Sequence, residues 1–453
     1  MAETALQDRT AKQLRLLEQA LDSGRLGPVK RLVNTLSPAE IGNLLESLPP
    51  HKRQIVWGLV DPEDDGEVLV HVGDEVREDL LKAMDPDEIV AAAESLDIDD
   101  LADLLEDLPD TVIDEVLKSM DRENRERLEQ MLTYEEDTAG RLMNPDVVTV
   151  RADVSVDVVL RYLRLRGELP EATDRLYIVS RRRQYLGGIS LAQLLTADPA
   201  VAVNRLIDSE QPAIDADTPV AEVAERFANH DWLSAPVVDE NNVLLGRITI
   251  DDVVDIIRAQ AEHQALGAAG LDEDEDLFAP VPRTTRRRAV WLGINLLTAF
   301  LASWVIGNFE GVLQKVVACA VLMPIVASMG GVAGTQVLTL MVRAQALGQV
   351  SPANALSLLR KEVLVALANG LVWALAVGSV ALAIYRDAWL ALAFGAAMVI
   401  NLIAAALSGV FLPLVLRRVG IDPALAGGVI LTTVTDCCGF ASFLGLSTLL
   451  LMQ

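Results

Sequence analysis

The chain has little with which to do covalent chemistry. Its three cysteines, Cys319, Cys437 and Cys438, lie in apolar stretches, with neither metal-site spacing nor a disulfide framework. Buried, inert thiols are the expectation. The four histidines, His51, His71, His230 and His263, are scattered and form no ligand set. No nucleophile has a base beside it, so an enzyme is not expected. Basic residues are also scarce, 38 Lys+Arg against 65 Asp+Glu. That balance argues against nucleic acid, which needs a basic footprint, but not against divalent cations. Met1 to Lys12 are polar and lack an apolar core, so no cleavable signal peptide is expected and the soluble part is expected in the cytosol.

What is present is segregated along the chain. Of the 453 residues, 51% are hydrophobic. From Trp291 onward there are five acids (Glu310, Glu362, Asp387, Asp422, Asp436) and seven bases (Lys315, Arg343, Arg360, Lys361, Arg386, Arg417, Arg418), which leaves 60 acids and 31 bases upstream, a net charge of -29. An acidic soluble region therefore precedes a nearly neutral membrane region.

Residues 1–140 read as a short helical superhelix. Glu40 to Pro49 (EIGNLLESLP) recurs as Asp100 to Pro109 (DLADLLEDLP), so Ile41, Leu44, Leu45 and Leu48 match Leu101, Leu104, Leu105 and Leu108 at helical spacing. Ser37-Pro38-Ala39-Glu40 and Asp85-Pro86-Asp87-Glu88 carry the signature of a helix start: a capping residue, proline at the first position and a glutamate two residues later.

From Met143 the pattern becomes two copies of a β-rich unit. Val147 to Val150 opens the first, Leu176 to Ser180 and Leu186 to Ser190 are its strands, and Leu191 to Leu195 starts its helix. The second runs from Ala213 through Ala235 to Asp239, Leu245 to Ile250 and a helix from Asp251. The order and turns resemble a tandem CBS pair. Gly246-Arg247-Ile248-Thr249 followed by Asp252 is similar to that family's phosphate and ribose motif; in the first unit Gln193 follows Ser190 where the acid belongs. The resemblance implies either an adenine nucleotide (ATP) at Thr249 and Asp252 or a purely structural pair. The acid run Leu271 to Leu277 reads as a solvated turn or a divalent-sensing patch, and Arg283 to Arg288 forms a basic collar.

Five spans fit the roughly 30 Å of hydrocarbon in a bilayer at 1.5 Å per residue: about 289–308, 313–342, 362–385, 388–416 and 424–450. Basic residues concentrate in the collar, in Arg343 to Lys361 and at Arg417-Arg418, so these loops are expected in the cytosol and the C-terminus outside. The second span holds Pro324 and Gly330-Gly331-Val332-Ala333-Gly334-Thr335-Gln336. Such a cluster means a helix break facing a cavity, or close packing. In the fifth span, Gly428, Thr432, Asp436 and Gly439 share a helical face. A lone carboxylate at that depth costs at least ~2.5 kcal/mol. A cation is its expected partner, with proton relay and structural hydrogen bonding as the alternatives.

Along almost its whole length the chain resembles the MgtE-type magnesium channels. The order of regions matches, and so do Tyr134-Glu135-Glu136-Asp137-Thr138-Ala139-Gly140, Gly330-Gly331 with Gly334 and Gln336, Asp422-Pro423-Ala424-Leu425, and Thr435-Asp436 with Gly439. The fold class implied is a multi-domain membrane protein: an acidic all-α superhelical N domain (1–140), an α/β tandem CBS pair (141–262), a connecting plug helix (263–288) and a transmembrane domain of five helices (289–453). The resemblance further implies a homodimer in the lipid bilayer that takes up Mg²⁺. Pore ligands would be Asp436, Thr432, Thr435 and Gln336. Regulatory Mg²⁺ would sit at Glu67, Asp99, Asp103, Asp231, Asp252 and Asp255, gluing the N and CBS domains together and shutting the pore through the plug. Asp99 and Asp103, four apart on one helix, are suited to share a cation.

The chain also departs from the family. Val332 stands where an asparagine is usual, Gly428 where a polar residue is frequent, and Gln260, His263 and Gln264 where acids are expected. Passage of another divalent cation (Co²⁺ or Mn²⁺), and a non-conducting membrane-anchored Mg²⁺ or nucleotide sensor, are the competing functions.

Overall fold

The computed structural model describes Leu17 and residues 20–21, 26–106, 108–208, 211–267, 269–271, 275–346, 349–350 and 354–452. The expectation for Met1 to Lys12, and the Asp272 to Asp274 part of the acid run, lie outside them. The chain divides into a soluble unit, residues 1–259 with 274–280, and a membrane unit, residues 260–273 with 281–453.

The soluble unit begins with short helices, of which Leu26–Val33, Pro38–Glu46, Pro86–Glu94 and Ile98–Glu106 are typical. Ser37 and Glu40 close a reciprocal cap: the Ser37 amide donates to Glu40 Oε2 at 2.9 Å and the Glu40 amide to Ser37 Oγ at 3.3 Å. Asp85 repeats the device through Glu88, its amide donating to Glu88 Oε2 at 2.9 Å. Each satisfies amides that the helix itself leaves orphaned. The repeated leucines do share one interior. Ile41, Leu45, Leu48, Leu101, Leu104, Leu105 and Leu108 are buried in one cluster, with Leu44 packed against it. Burying a leucine is worth about 1.5–3 kcal/mol.

Two three-stranded sheets follow, β1 (Thr149–Arg151), β2 (Arg175–Val179) and β3 (Tyr185–Ser190), then β4 (Ile214–Asp215), β5 (Ser234–Val238) and β6 (Leu244–Thr249). In each sheet the first pair is parallel and the second antiparallel. The two halves are laced together through the segment entering the first: Ala139 and Gly140 donate to the Thr218 and Ala216 carbonyls at 2.8 Å. Asn144 and Arg247 pair as an isolated bridge. Gly246 is required there, since a Cβ would stand 2.7 Å from the Asn144 carbonyl oxygen.

The connecting helix expected over 263–288 is divided. One helix runs Ile250–Gly267, and the next, Val281–Gly307, takes Arg283 to Arg288 into its first turns. The basic collar is thus the start of the first membrane helix. The other four span Val317–Gln345, Ala355–Tyr385, Ala388–Val419 and Pro423–Leu451. The fourth is the most buried and sits at the centre of the bundle, packing on the second, third and fifth.

The second membrane helix runs unbroken through Pro324 and the glycines. Of the two expectations for that cluster, close packing is the one the structure shows. Cys319, Leu322, Val326, Gly330, Gly334, Leu338 and Met341 form a buried stripe at helical spacing. A Cβ on Gly330 would lie 2.2 Å from Asn401 Nδ2, and one on Gly334 2.9 Å from Leu431 Cδ1. Gly331 faces away, with nothing within 4 Å of an added Cβ. Gly330→Ala is therefore expected to lower the melting temperature of the solubilised chain, overpacking costing about 1–3 kcal/mol. Gly331→Ala is expected to leave it unchanged or to raise it. Thermal unfolding monitored by size-exclusion chromatography decides, and equal melting of the two variants would refute the packing account.

Candidate cation sites

On the fifth membrane helix the packed stripe is Gly427, Leu431, Thr435, Gly439 and Phe443. Gly428, Thr432 and Asp436 occupy the other, more open side. Gly439 therefore leaves the face expected for it. A Cβ there would meet Asn401 Nδ2 at 2.8 Å.

Thr435 must be corrected as a pore ligand. It is fully buried, and its hydroxyl bonds back to the Leu431 and Thr432 carbonyls at 3.1 and 3.0 Å. Thr432, by contrast, is exposed. Its hydroxyl donates into the helix, to Gly428 or Val429 carbonyls at 3.0 Å, which leaves the oxygen lone pairs to accept from a water molecule. Asp436 is half-buried, and among the described residues its carboxylate has neither a hydrogen-bond nor an ion-pair partner. Gln336 and Val332 are both exposed on the open side of the second helix.

Asn401, which nothing in the sequence pattern singled out, holds these helices in register. It is fully buried in the fourth helix, and its Nδ2 donates to the Val326 carbonyl at 2.8 Å. The same amide abuts Gly330 on one side and Gly439 on the other. The one available signal was an amide amid an otherwise apolar stretch.

The soluble unit brings distant acids together. Asn144 Nδ2 donates to both Asp97 Oδ2 and Asp99 Oδ1 at 3.1 Å. Burial, then the nearby charges of Asp252, Asp100 and Asp97, push the Asp99 carboxyl up to about 8. Burial, followed by Asp252 and Asp97, pushes Asp100 up to about 7. Asp252 rises to about 6, chiefly through burial. Asp103 adjoins this group at its edge: its charge raises Asp100, but it is not among the charges acting on Asp99. Its surroundings are Arg141, Glu106, Arg77 and Asp74, with burial the leading cause of a rise to about 6. Arg141 Nη2 meets Glu106 Oε1 at 2.5 Å.

Asp97, Asp100 and Asp251 were not foreseen as members of the cluster, although Asp97, Asp99 and Asp100 are near neighbours in sequence. Asp255 is exposed beside Asp252 on the same helix. Glu67 and Asp231 are exposed on other helices, Asp231 at a left-handed C-cap with φ 53°. Neither is shown joining the cluster. Among the described residues no three His, Cys, Asp or Glu converge as a ready-made metal shell. What the acids offer is a field for a hydrated ion.

Carboxyls whose folded values lie above the unfolded value near 4 bind protons more tightly when folded. Their contribution favours folding in full below about pH 4 and is lost as pH rises from there through the folded values of about 6 to 8. The melting temperature of the full chain in a chelator is therefore expected to fall between about pH 5.5 and 8, and Mg²⁺ is expected to restore more of it at the higher pH, where the carboxylates are charged. A melting temperature that rises over this range without Mg²⁺ would refute the cluster's titration.

Thr249 and Asp252 are occupied with each other: the Thr249 amide and hydroxyl donate to Asp252 Oδ2 at 3.1 and 2.9 Å. In the first unit Ser190 and Gln193 make the equivalent cap, the Gln193 amide donating to Ser190 Oγ at 3.1 Å. Arg247 lies between the two sheets' units, its guanidinium reaching Glu171 O and Thr173 Oγ1. Its Nε is buried without a partner among the described residues.

Of the described linker acids, Asp276 is not part of a solvated turn. Asp276 is buried against Arg53, with Nη2 to Oδ2 at 2.8 Å and side-chain exposures of 2% and 1%. Its amide donates to Glu75 Oε2 at 2.9 Å. In the membrane unit His263 Nε2 lies 2.7 Å from Asp422 Oδ2. The other Asp422 oxygen caps the fifth helix by accepting from the Ala424 amide at 2.9 Å.

Three family profiles match the chain: a divalent cation transporter profile over residues 323–446, the MgtE intracellular N domain over 36–137, and the CBS domain over 139–200 and 203–259. The magnesium transporter MgtE of Thermus thermophilus is 32% identical over 443 residues, 96% of this chain and 98% of that protein. The magnesium transporter MgtE of Bacillus subtilis is 27% identical, covering 94% of this chain and 95% of that protein. Among solved structures, the cytosolic domain of the Mg²⁺ channel MgtE in complex with ATP is 32% identical, covering 53% of this chain and 98% of that one, with a TM-score of 0.48.

Proposed function

The chain belongs to the MgtE family of magnesium transporters, and on that footing we propose that it passes hydrated Mg²⁺ along Asp436 under the control of the acids at Asp99 and Asp252. It is a multi-pass membrane protein that transports Mg²⁺, with a CBS pair and a helical N domain on the cytosolic side. The single observation that carries the route is Asp436, a membrane carboxylate with no partner among the described residues. Mg²⁺ sheds its waters reluctantly. Asp436 and the Thr432 oxygen are both acceptors, suited to the outward-pointing hydrogens of those waters.

Two chains form the conducting unit, so that two copies of Asp436 face one ion, with the C-terminus outside. When cytosolic Mg²⁺ is scarce, the charges of Asp97, Asp99, Asp100 and Asp252 repel and part the helices from the CBS pair. When it is abundant, the ion lowers that repulsion and closes the pore. The raised values of Asp99, Asp100 and Asp252 support this: burial is the leading cause of each and neighbouring carboxylates add to it, so holding these acids charged together is costly.

The test is Mg²⁺ influx into liposomes holding the full chain, with Co²⁺ and Ca²⁺ as competitors and Mg²⁺ varied on the side of the soluble unit. Influx that is inhibited from that side is the expected result. Absence of Mg²⁺ influx would favour the non-conducting sensor, and faster Co²⁺ passage another cargo.

ATP at the CBS pair is a second reading, carried by the orphaned Arg247 Nε rather than by Thr249. That buried donor suits an anionic oxygen. Retention of a fluorescent ATP analogue by the wild type and not by Arg247→Met is expected.

A further inference from the structure

Between the second, third and fourth membrane helices is a cavity of about 260 Å³. Seven of its lining residues are apolar, but Gln336, Lys361, Glu362 and Asn369 all reach it. Glu362 is the unusual member. Its side chain is only 8% exposed, and its ion pair is with the preceding residue, Lys361, at 3.0 Å.

That pair does not join one helix to another. Lys361 is itself 62% exposed, on a long flexible stem, so it is free to swing away. Gln336 and Asn369 have no hydrogen-bond partners among the described residues. At the foot of a membrane helix, polar side chains left in this way suit a polar occupant. At about 30 Å³ per water molecule the cavity holds roughly eight, enough for a divalent ion with its shell.

We propose that Glu362, with the amide oxygens of Gln336 and Asn369, forms a second site for a hydrated divalent cation, distinct from Asp436. The carboxylate supplies the charge and the two amides accept hydrogen bonds from the ion's waters. Lys361 Nζ neutralises Glu362 when the site is empty and withdraws when the ion arrives. Because Gln336 also faces the open side of the second helix, the cavity adjoins that surface. The identity of the ion rests on the reading of the chain as a Mg²⁺ transporter; the site rests on the cavity.

A thiol reagent tests this without measuring flux. In the full chain with Cys319, Cys437 and Cys438 replaced by alanine, Val365→Cys places a thiol on the cavity wall. Modification by a cationic methanethiosulfonate is expected to slow about tenfold when Mg²⁺ is ten times its half-saturating concentration. Adding Glu362→Gln should abolish that protection, each chain being compared with its own Mg²⁺-free rate because the lost charge itself alters attack by a cationic reagent. Lys361→Gln should lower the Mg²⁺ needed, and Asp436→Ala should leave protection intact. Protection that survives Glu362→Gln, disappears with Asp436→Ala, or is absent from the Val365→Cys chain overturns the proposal.

Discussion

Asp436→Asn is expected to cut Mg²⁺ influx into liposomes by at least about a hundredfold, while the protein still folds and elutes as before. Asparagine keeps the shape and removes the charge. A divalent ion held through its waters about 5 Å from a carboxylate interacts by several kcal/mol at an effective dielectric of ~20. Losing ~3 kcal/mol of that is enough for a hundredfold change. Two neighbours sharpen the test. Thr432→Val removes an exposed acceptor and should reduce influx. Thr435→Val, whose hydroxyl is turned into its own helix, should leave influx near the wild type. Influx by Asp436→Asn within twofold of wild type would remove this carboxylate from the ion's route.

The second large effect is expected at the buried pair of Arg53 and Asp276. Asp276→Ala strands a guanidinium that is 1% exposed, and breaking a buried pair from one side costs about 3–5 kcal/mol. The double replacement Arg53→Met with Asp276→Leu removes both charges and should recover most of that. Hydrogen exchange and limited proteolysis of residues 275–280 report the change. In Asp276→Ala the segment should exchange and be cut faster, and the double variant should lie close to wild type. Equal protection in all three chains would show that the pair holds nothing. The segment ends at residue 280, and in sequence the first membrane helix follows at once, from Val281.

Periodicity revealed the parts that are local in sequence. The leucine repeat, the caps at Ser37 and Asp85, the individual strands and the five apolar helices are each set by residues within a turn or two of one another. The open side of the fifth helix was legible for the same reason, at Gly428, Thr432 and Asp436. What stayed hidden depends on residues far apart. Asp99 and Asp252 belong to one electrostatic group, and only the family resemblance had put them in one set, since no spacing rule links a helix of the repeat to a helix after β6. Asp276 looked like part of a solvated run because its partner, Arg53, lies 223 residues away. His263 stood out only as a missing acid, whereas its structural role is to meet Asp422. The glycine cluster was ambiguous because packing and a break use the same residue, and only Asn401 distinguishes them.

Asn401 also constrains how this sequence can drift. Gly330 and Gly439 lie on different helices, more than a hundred residues apart, and each presses on the same amide. A methyl group gained at either would press on the end of that asparagine side chain, which must shift to admit it, and a bulkier residue at 401 would press on both glycines. The three positions are therefore coupled: a change at any of them alters the cost of a change at the others, and a designer altering the ion route must weigh the trio together.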